Sequence, residues 1–238
     1  MTSIEQDLWL GKMLGKPAYR IGGHASDVVA GDLPQAESFI EARVGVTDSE
    51  SLCHLQGLGF EVIDCNVTFE LPADGASLDK QPDAFPPKIR FATVEDEHGV
   101  RALARKAFEY NRFTRDPRIP NEIANTIKEE WAANFFAGAR GEWMAVAEED
   151  REIVGFLQLV SADQDVLLID LIAVSSHQQR RGIARLMISF AFRNCMEQPS
   201  RIRVGTQLSN RGSLRLYESM GFNLSDVVYL LHMHKEAE

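Results

Sequence analysis

The chain has 238 residues, 45% of them hydrophobic, and a formal net charge of −10 at pH 7. That length can bury a sizeable core, as one large domain or two small ones. The acidic balance argues against nucleic acid as the main partner, because phosphate affinity comes from clustered Lys and Arg. Cys53, Cys65 and Cys195 are odd in number and lack metal-ligand spacing, so they read as buried or inert thiols of a reducing compartment, with no disulfide framework and no metal. Acidic Glu5 and Asp7, with no continuous apolar core before Gly11, are unlike a signal peptide, and no apolar run reaches membrane-spanning length. A cytoplasmic protein without membrane insertion is the expectation.

Residues 1–71 read as a compact mixed α/β segment. Residues 4–14 open it with an apolar-rich run, 18–21 predict a short strand, and the spacing of Phe39 and Ile40 within 33–44 predicts a helix. The run Asp48-Ser49-Glu50-Ser51 supplies a cap for a helix with Leu52, Leu55 and Leu58 on its apolar face, stopped by Gly57 and Gly59. Residues 60–71 alternate through Val62, Cys65, Val67, Phe69 and Leu71 with one break, which predicts a bulged strand. His24 and His54 are isolated and read as structural. Residues 72–88, rich in Pro, Asp, Ala, Gly and Ser, cannot build a core and read as a linker before a second domain at 89–238.

That second part opens with a strand at 89–92 and a Thr93-capped helix through Val100, Leu103, Ala104 and Phe108. The tract 110–120 carries Arg112, Arg115 and Arg118 with Tyr110, Phe113, Pro117 and Pro120; it reads as a loop with binding potential or as a helix connection with its arginines in solvent. A helix from 121 to near 136 follows. Residues 143–147 and 153–160 predict a hairpin turning at Glu149-Asp150-Arg151, and 166–174 a third strand after a turn at Asp163-Gln164-Asp165. A helix to Glu197, a strand at 201–206, a helix at 210–220 stopped by Gly221-Phe222 and a strand at 227–234 complete the chain.

The stretch 169–184 stands out. An apolar β-branched run ending at Val174 passes through a turn with His177, Gln178, Gln179, Arg180, Arg181 and Gly182 into a helical pattern of Ile183, Leu186, Met187, Phe190 and Ala191. Such a turn aims backbone N–H groups at one point at the positive end of a helix dipole and suits an anion such as a pyrophosphate. Spacing alone leaves open a basic, solvated helix start. With Arg185 the cluster is locally positive in an acidic protein, which fits a small polyanion better than a nucleic-acid surface.

The signature Gln179-Arg180-Arg181-Gly182-Ile183-Ala184, preceded by Ile172-Ala173-Val174 and followed by Asn210, Leu214, Tyr217, Gly221 and Phe222, resembles the GNAT superfamily of acetyl-CoA-dependent N-acetyltransferases over roughly residues 88–236. The resemblance implies an α/β (α+β) fold, a mixed and mostly antiparallel twisted sheet flanked by helices, beside a smaller N-terminal α/β domain. A narrower likeness rests on Asp7-Leu8-Trp9, on Leu55-Gln56-Gly57-Leu58-Gly59-Phe60, on Asn111-Arg112-Phe113 and on the stretch from Thr206-Gln207 to Tyr217. These are similar to the TDP-fucosamine acetyltransferases, which acetylate the amine of a nucleotide-linked amino-dideoxysugar.

What the resemblance implies for the site is specific. Acetyl-CoA would be a co-substrate, its pantetheine bound by backbone groups of Ile172, Ala173 and Val174, with the Ile172 N–H aimed at the thioester oxygen. Its pyrophosphate would lie on the N–H groups of residues 179–184, and Asn210 and Ser213 would contact the pantetheine region. Tyr217 is the candidate general acid for the departing thiolate and Asp170 the candidate base, although Asp170 also reads as a strand carboxylate bonded to a neighbour. Arg112, Phe113, Arg115 and Gln207 are candidates for the acceptor, the arginines for its diphosphate. A free amino acid, polyamine or small amine is the alternative acceptor, and a non-catalytic acyl-CoA-binding module the alternative class. The expected partner is a small-molecule amine, and a homodimer is compatible with the sequence.

Overall fold

A computed structural model describes residues 3–72, 87–162, 165–195 and 199–236. Most of the expected linker, the turn residues Asp163 and Gln164, and the expected helix end at Glu197 lie outside the described residues. Ten strands form one sheet: β1 (Ser3–Gln6), β2 (Ala18–Gly22), β3 (Ser38–Gly45), β4 (Glu61–Pro72), β5 (Lys88–Phe91), β6 (Trp143–Glu149), β7 (Glu152–Ala162), β8 (Val166–Val174), β9 (Arg201–Gln207) and β10 (Asn223–Lys235). Their spatial order is β1-β2-β3-β10-β4-β9-β8-β7-β6-β5. Neighbours are antiparallel except β2 with β3 and β8 with β9. β4 lies between β9 and β10, bulged against β10, so strands from both sides of the proline-rich stretch share one hydrogen-bonded sheet.

Local chemistry accounts for most element boundaries. Asp7 caps α1 (Leu8–Leu14) by accepting from the Leu10 N–H at 2.8 Å, and Asp48 caps α2 (Ser49–Gly57) by accepting from the Ser51 N–H at 3.0 Å. The opening run 4–14 is therefore split into β1 and α1 by a cap. The β6–β7 hairpin turns on Asp150 and Arg151, at φ 51° and 67°, a left-handed pair that matches the twist of the flanking strands. Thr93 and Asp96 close a reciprocal cap ahead of α3 (Glu97–Ala107).

The helix expected at 33–44 is corrected: residues 38–45 form β3, after 3-10 turns at Ala25–Asp27 and Ala30–Asp32. Ser38 through Ala42 are all buried, since β3 is covered on both faces. Phe39 joins a cluster with Leu10, Phe113 and Ile127, whereas its neighbour Ile40 joins one with Leu55, Leu231 and Phe60. A strand buried on both faces loses its period of two, and the resulting run of apolar residues imitates helical spacing.

The same two-sided burial organises the second half. On one face α6 (Ile183–Asn194) and α7 (Arg211–Ser219) cover the sheet, through Met187, Ile188, Tyr217 and Met220 against Leu157 and Leu159. On the other, α3 contributes Val100 and Ala104 and α5 (Asn121–Ala133) contributes Ala132, packed on Phe156, Val146 and Leu171. Phe156 and Leu157, adjacent on β7, thus serve opposite cores. Burying each such side chain removes a few kcal/mol of apolar exposure. Cys195 is buried in the first of these cores, Cys65 on β4 is half-buried and Cys53 on α2 is exposed.

The tract 110–120 is also corrected. It forms a short, well-anchored helix, α4 (Arg112–Arg115), instead of an open loop: the Asn111 side chain accepts from the N–H groups of Phe113 and Thr114 and donates to the Phe108 carbonyl. Phe113 is fully buried, and the Arg112 guanidinium, stacked 4.3 Å from the Phe113 ring centroid, pairs with Glu41 of β3 at 2.9 Å. Arg20 of β2 holds the other Glu41 oxygen at 2.7 Å. Burial alone would raise the Glu41 carboxyl, but Arg112 and Arg20 hold it at about 2. Next to this pair, Asp116 Oδ2 bonds both His232 Nδ1 and His234 Nε2 of β10 at 2.7 Å, with the Phe39 ring against both imidazoles. Burial lowers His232 from its usual range despite Asp116, and Asp116, although burial opposes it, is held far below the carboxylate range by the two histidines and the Arg118 N–H.

Two predictions follow from these buried charges. Arg112→Ala leaves Glu41 with Arg20 alone and should lower the unfolding free energy by about 2–3 kcal/mol, less than the roughly 3–5 of a fully severed buried pair, as read by urea titration; an unchanged midpoint would show the pair to be inert. His232, Asp116 and Glu41 all bind protons more readily in the unfolded chain, so stability should fall as pH drops, first below about 6.5 through His232 and then below about 4 through the carboxylates. Thermal midpoints measured across this range should show the first step in the native protein and lose it in His232→Asn.

Candidate active site

β8 and β9 pair in parallel only from Val166↔Arg201 to Ile169↔Val204. Beyond Ile169 no strand among the described residues lies against the β9-facing edge of β8, although its other edge stays paired with β7 as far as Val174. The two strands diverge into a cavity of about 700 Å³ whose walls include Asp170, Ile172 and Val174 from one strand and Gly205, Thr206 and Gln207 from the other. Backbone amides along that free edge are available to an extended ligand, as at the edge of any sheet.

After Val174 the chain makes a 3-10 turn at Ser176–Gln178 and enters α6 through Arg180 at φ 64° and Gly182 at φ 80°. The left-handed Gly182 explains why glycine stands there. It caps α6 without a side chain, so the first-turn N–H groups of Ile183 and Ala184, which have no partner within the helix, are left for a ligand. Gln179, Arg180, Gly182, Ile183 and Ala184 all line the cavity. Arg181 does not: its guanidinium grips Glu149 through two contacts at 2.7 and 2.8 Å and also bonds Gln178, which anchors the turn to the β6–β7 hairpin. Arg185 ties α6 to the end of α7 through the Ser219 carbonyl and hydroxyl at 3.0 and 2.8 Å.

α7 forms the far wall. Asn210 caps it, its side chain accepting from the Ser213 N–H at 3.1 Å, and Asn210, Ser213 and Tyr217 all line the cavity. Tyr217 is 1% exposed and packs between the rings of Phe69 and Phe222. Burial drives its phenol above the usual range against a hydrogen bond with Ser213, so the hydroxyl stays protonated and can act as a donor.

Asp170 lines the cavity but is fully engaged. Its carboxylate accepts from Arg140 Nε at 2.7 Å and Nη2 at 2.5 Å, from Trp131 Nε1 at 2.8 Å and from Gln158 Nε2 at 3.3 Å. This geometry fits the reading of Asp170 as a strand carboxylate bonded to its neighbours. Of the acceptor candidates, Gln207 lines the cavity, whereas Arg112, Phe113 and Arg115 do not. Arg112 and Phe113 are committed to the interior, and Arg118 is paired with Glu61.

The cavity also holds Tyr110 of the tract read as having binding potential, Phe108, read only as a helix residue, and three residues that the sequence reading passed over: Glu109 after α3, Lys128 on α5 and Arg215 on α7. Lys128 lies 4.5 Å from the Trp131 ring centroid and 5.2 Å from that of Phe108. Burial, together with Arg112 and Arg140, brings its ammonium down to about 7 against the pull of Asp170. A lysine one place after Ile127 in a helical pattern reads as a solvated face, and no local signal marks it. Away from the cavity, Asp116, His232 and His234 bring three ligand-type atoms within 4.8 Å of one another. One Asp116 oxygen is shared by both rings, and Lys16 stands 3.4 Å from His234 while Arg112 acts on His232, so the set works as a hydrogen-bonded clamp between β10 and the segment after α4.

The acetyltransferase (GNAT) family matches residues 98–222. The spore coat polysaccharide biosynthesis protein SpsD of Bacillus subtilis is 34% identical over 158 residues, 63% of this chain and 53% of that protein, so the chain spans about half the length of this relative. A dTDP-fucosamine acetyltransferase of Escherichia coli O6:H1 is 24% identical over 196 residues, 82% of this chain and 81% of that one. The crystal structure of a GCN5-related N-acetyltransferase from Sphaerobacter thermophilus shares the fold with a TM-score of 0.60 at 15% identity, covering 99% of this chain and 76% of that one. A family match over more than half of the residues, on an α+β fold whose mixed sheet is flanked by helices and parts at the strand before the glycine turn, makes this chain a member of the GNAT acetyltransferase family.

Proposed function

We propose that the protein transfers an acetyl group from acetyl-CoA to the primary amine of a nucleotide-linked amino-dideoxysugar. The observation that carries the transfer is the parting of β8 from β9 beside an uncapped α6 start and a buried tyrosine, all on one cavity. In this reading the free edge of β8 at Ile172 and Val174 holds the pantetheine arm, and the Ile172 N–H stabilises the charge that develops on the thioester oxygen. The N–H groups of residues 179–184 take the pyrophosphate, with Arg180 beside them. Tyr217 gives its phenolic proton to the departing thiolate, and its burial keeps that proton in place until sulfur charge develops. Residues 1–71 act as an N-terminal unit that supports an acetyltransferase domain at 89–238.

The acceptor reading draws its support from the relatives, one a dTDP-fucosamine acetyltransferase and one a polysaccharide biosynthesis protein. The arginine tract no longer adds to it, because Arg112 is spent on Glu41 and Arg118 on Glu61. That same engagement favours a second reading, in which a free small amine is the acceptor.

A thiol-release assay with acetyl-CoA and a panel of TDP-linked 4-amino-4,6-dideoxysugars, free amino sugars, polyamines and amino acids should show turnover on the nucleotide sugars; turnover confined to a free amine would replace the first reading by the second. Tyr217→Phe should lower kcat on the order of 10²–10⁴-fold while acetyl-CoA binds as before, and an unchanged rate removes Tyr217 from the mechanism. Gly182→Val forces a β-branched residue into a left-handed conformation and should raise the KM for acetyl-CoA with little change in the KM for the acceptor.

A further inference from the structure

We propose that Lys128 is the general base that takes the proton from the acceptor nitrogen, a role resting on the acetyl-transfer reading above. The base has to sit in the cavity, face the free edge of β8 and keep a lone pair uncommitted. Asp170 fails the last condition, because four hydrogen bonds from Arg140, Trp131 and Gln158 occupy its oxygens. Lys128 lines the same cavity as Ile172 and Tyr217 and takes part in no ion pair among the described residues. It stands between two aromatic rings, Trp131 from its own helix and Phe108 from the end of α3, instead of against a carboxylate.

Burial first, and then two neighbouring cations, make an uncharged lysine accessible. Arg112 of α4 and Arg140 after α5 oppose the ammonium, while Asp170 on β8, its own charge shared with Arg140, and the ring faces of Trp131 and Phe108 favour it. Glu109 and Tyr110, from the stretch after α3, line the cavity as well. A lysine in apolar surroundings beside other cations is the setting in which an amine serves as a base near neutral pH.

The step balances as follows. The acceptor nitrogen forms its bond to the thioester carbon while the carbon–sulfur bond breaks. Neutral Lys128 Nζ takes the proton that leaves the nitrogen and becomes an ammonium, and Tyr217 delivers its proton to sulfur. Return of a proton from Lys128 to the Tyr217 phenolate through solvent restores both groups.

The test combines a variant with a labelling measurement on the native protein. With any amine that the native enzyme acetylates, Lys128→Arg keeps the positive charge and cannot act as a base. It should lower kcat on the order of 10²–10⁴-fold, leave the KM for acetyl-CoA near its native value, and abolish the acid limb near pH 7 in kcat/KM. Any limb that remains should follow the acceptor's own ammonium. Separately, mass-spectrometric labelling of the native protein with acetic anhydride across pH should give half-maximal Lys128 modification near pH 7, well below the roughly 10.4 of ordinary lysines. Native-like kcat in Lys128→Arg, or labelling of Lys128 only at the pH of the other lysines, overturns the proposal. Absence of turnover by the native enzyme with every amine would instead sink the transfer reading, and the labelling curve would still report on Lys128.

Discussion

The parallel contact between β8 and β9 ends after four residue pairs, and the rest of the site depends on that ending. Two strands that stayed paired would bury their amides in each other. Because they part after Ile169 and Val204, β8 keeps one edge on β7 and offers the other to a ligand, and the gap widens toward the turn that starts α6. The left-handed residues at 180 and 182 then lead into α6, whose first residues line the same cavity, so an unpaired strand edge and a helix start share one space.

Holding that divergence open is the work of the far side of the sheet. β4 pairs with β9 along Asn66–Pro72 and with β10 on its other edge, so β9 is fixed from the side away from β8. β10 in turn is held by β3 and by the Asp116 clamp on His232 and His234. Glu41 of β3 gathers Arg20 and Arg112 at the same place. These are costly groups to bury, and each is stable only with its partners present. The first seventy residues thereby contribute to the rigidity of a cavity that none of them lines.

Arginines and acids that look like ligand contacts in the sequence have mostly been spent on this framework. Arg181 locks the turn to Glu149, Arg112 locks α4 to β3, and Asp170 locks β8 to Arg140. The cavity lining still includes Tyr217, Lys128, Arg180 and Arg215 among its polar residues.

The sequence by itself determined what is decided within a few residues. Gly182 marked a turn, Asp48 and Asn210 marked helix starts, the paired turn at Asp150 and Arg151 marked a hairpin, and the order of strand, glycine turn and helix was legible from periodicity. Strand β3 was illegible because it is buried on both faces and shows no alternation. The role of the 110–120 tract, the engagement of Asp170 and the standing of Lys128 belong to tertiary structure alone. Each is settled by a partner far along the chain, Glu41 for Arg112, Arg140 for Asp170, Phe108 and Arg112 for Lys128. A charged side chain's role follows from the solvent and charges left around it after packing, and periodicity carries no record of either.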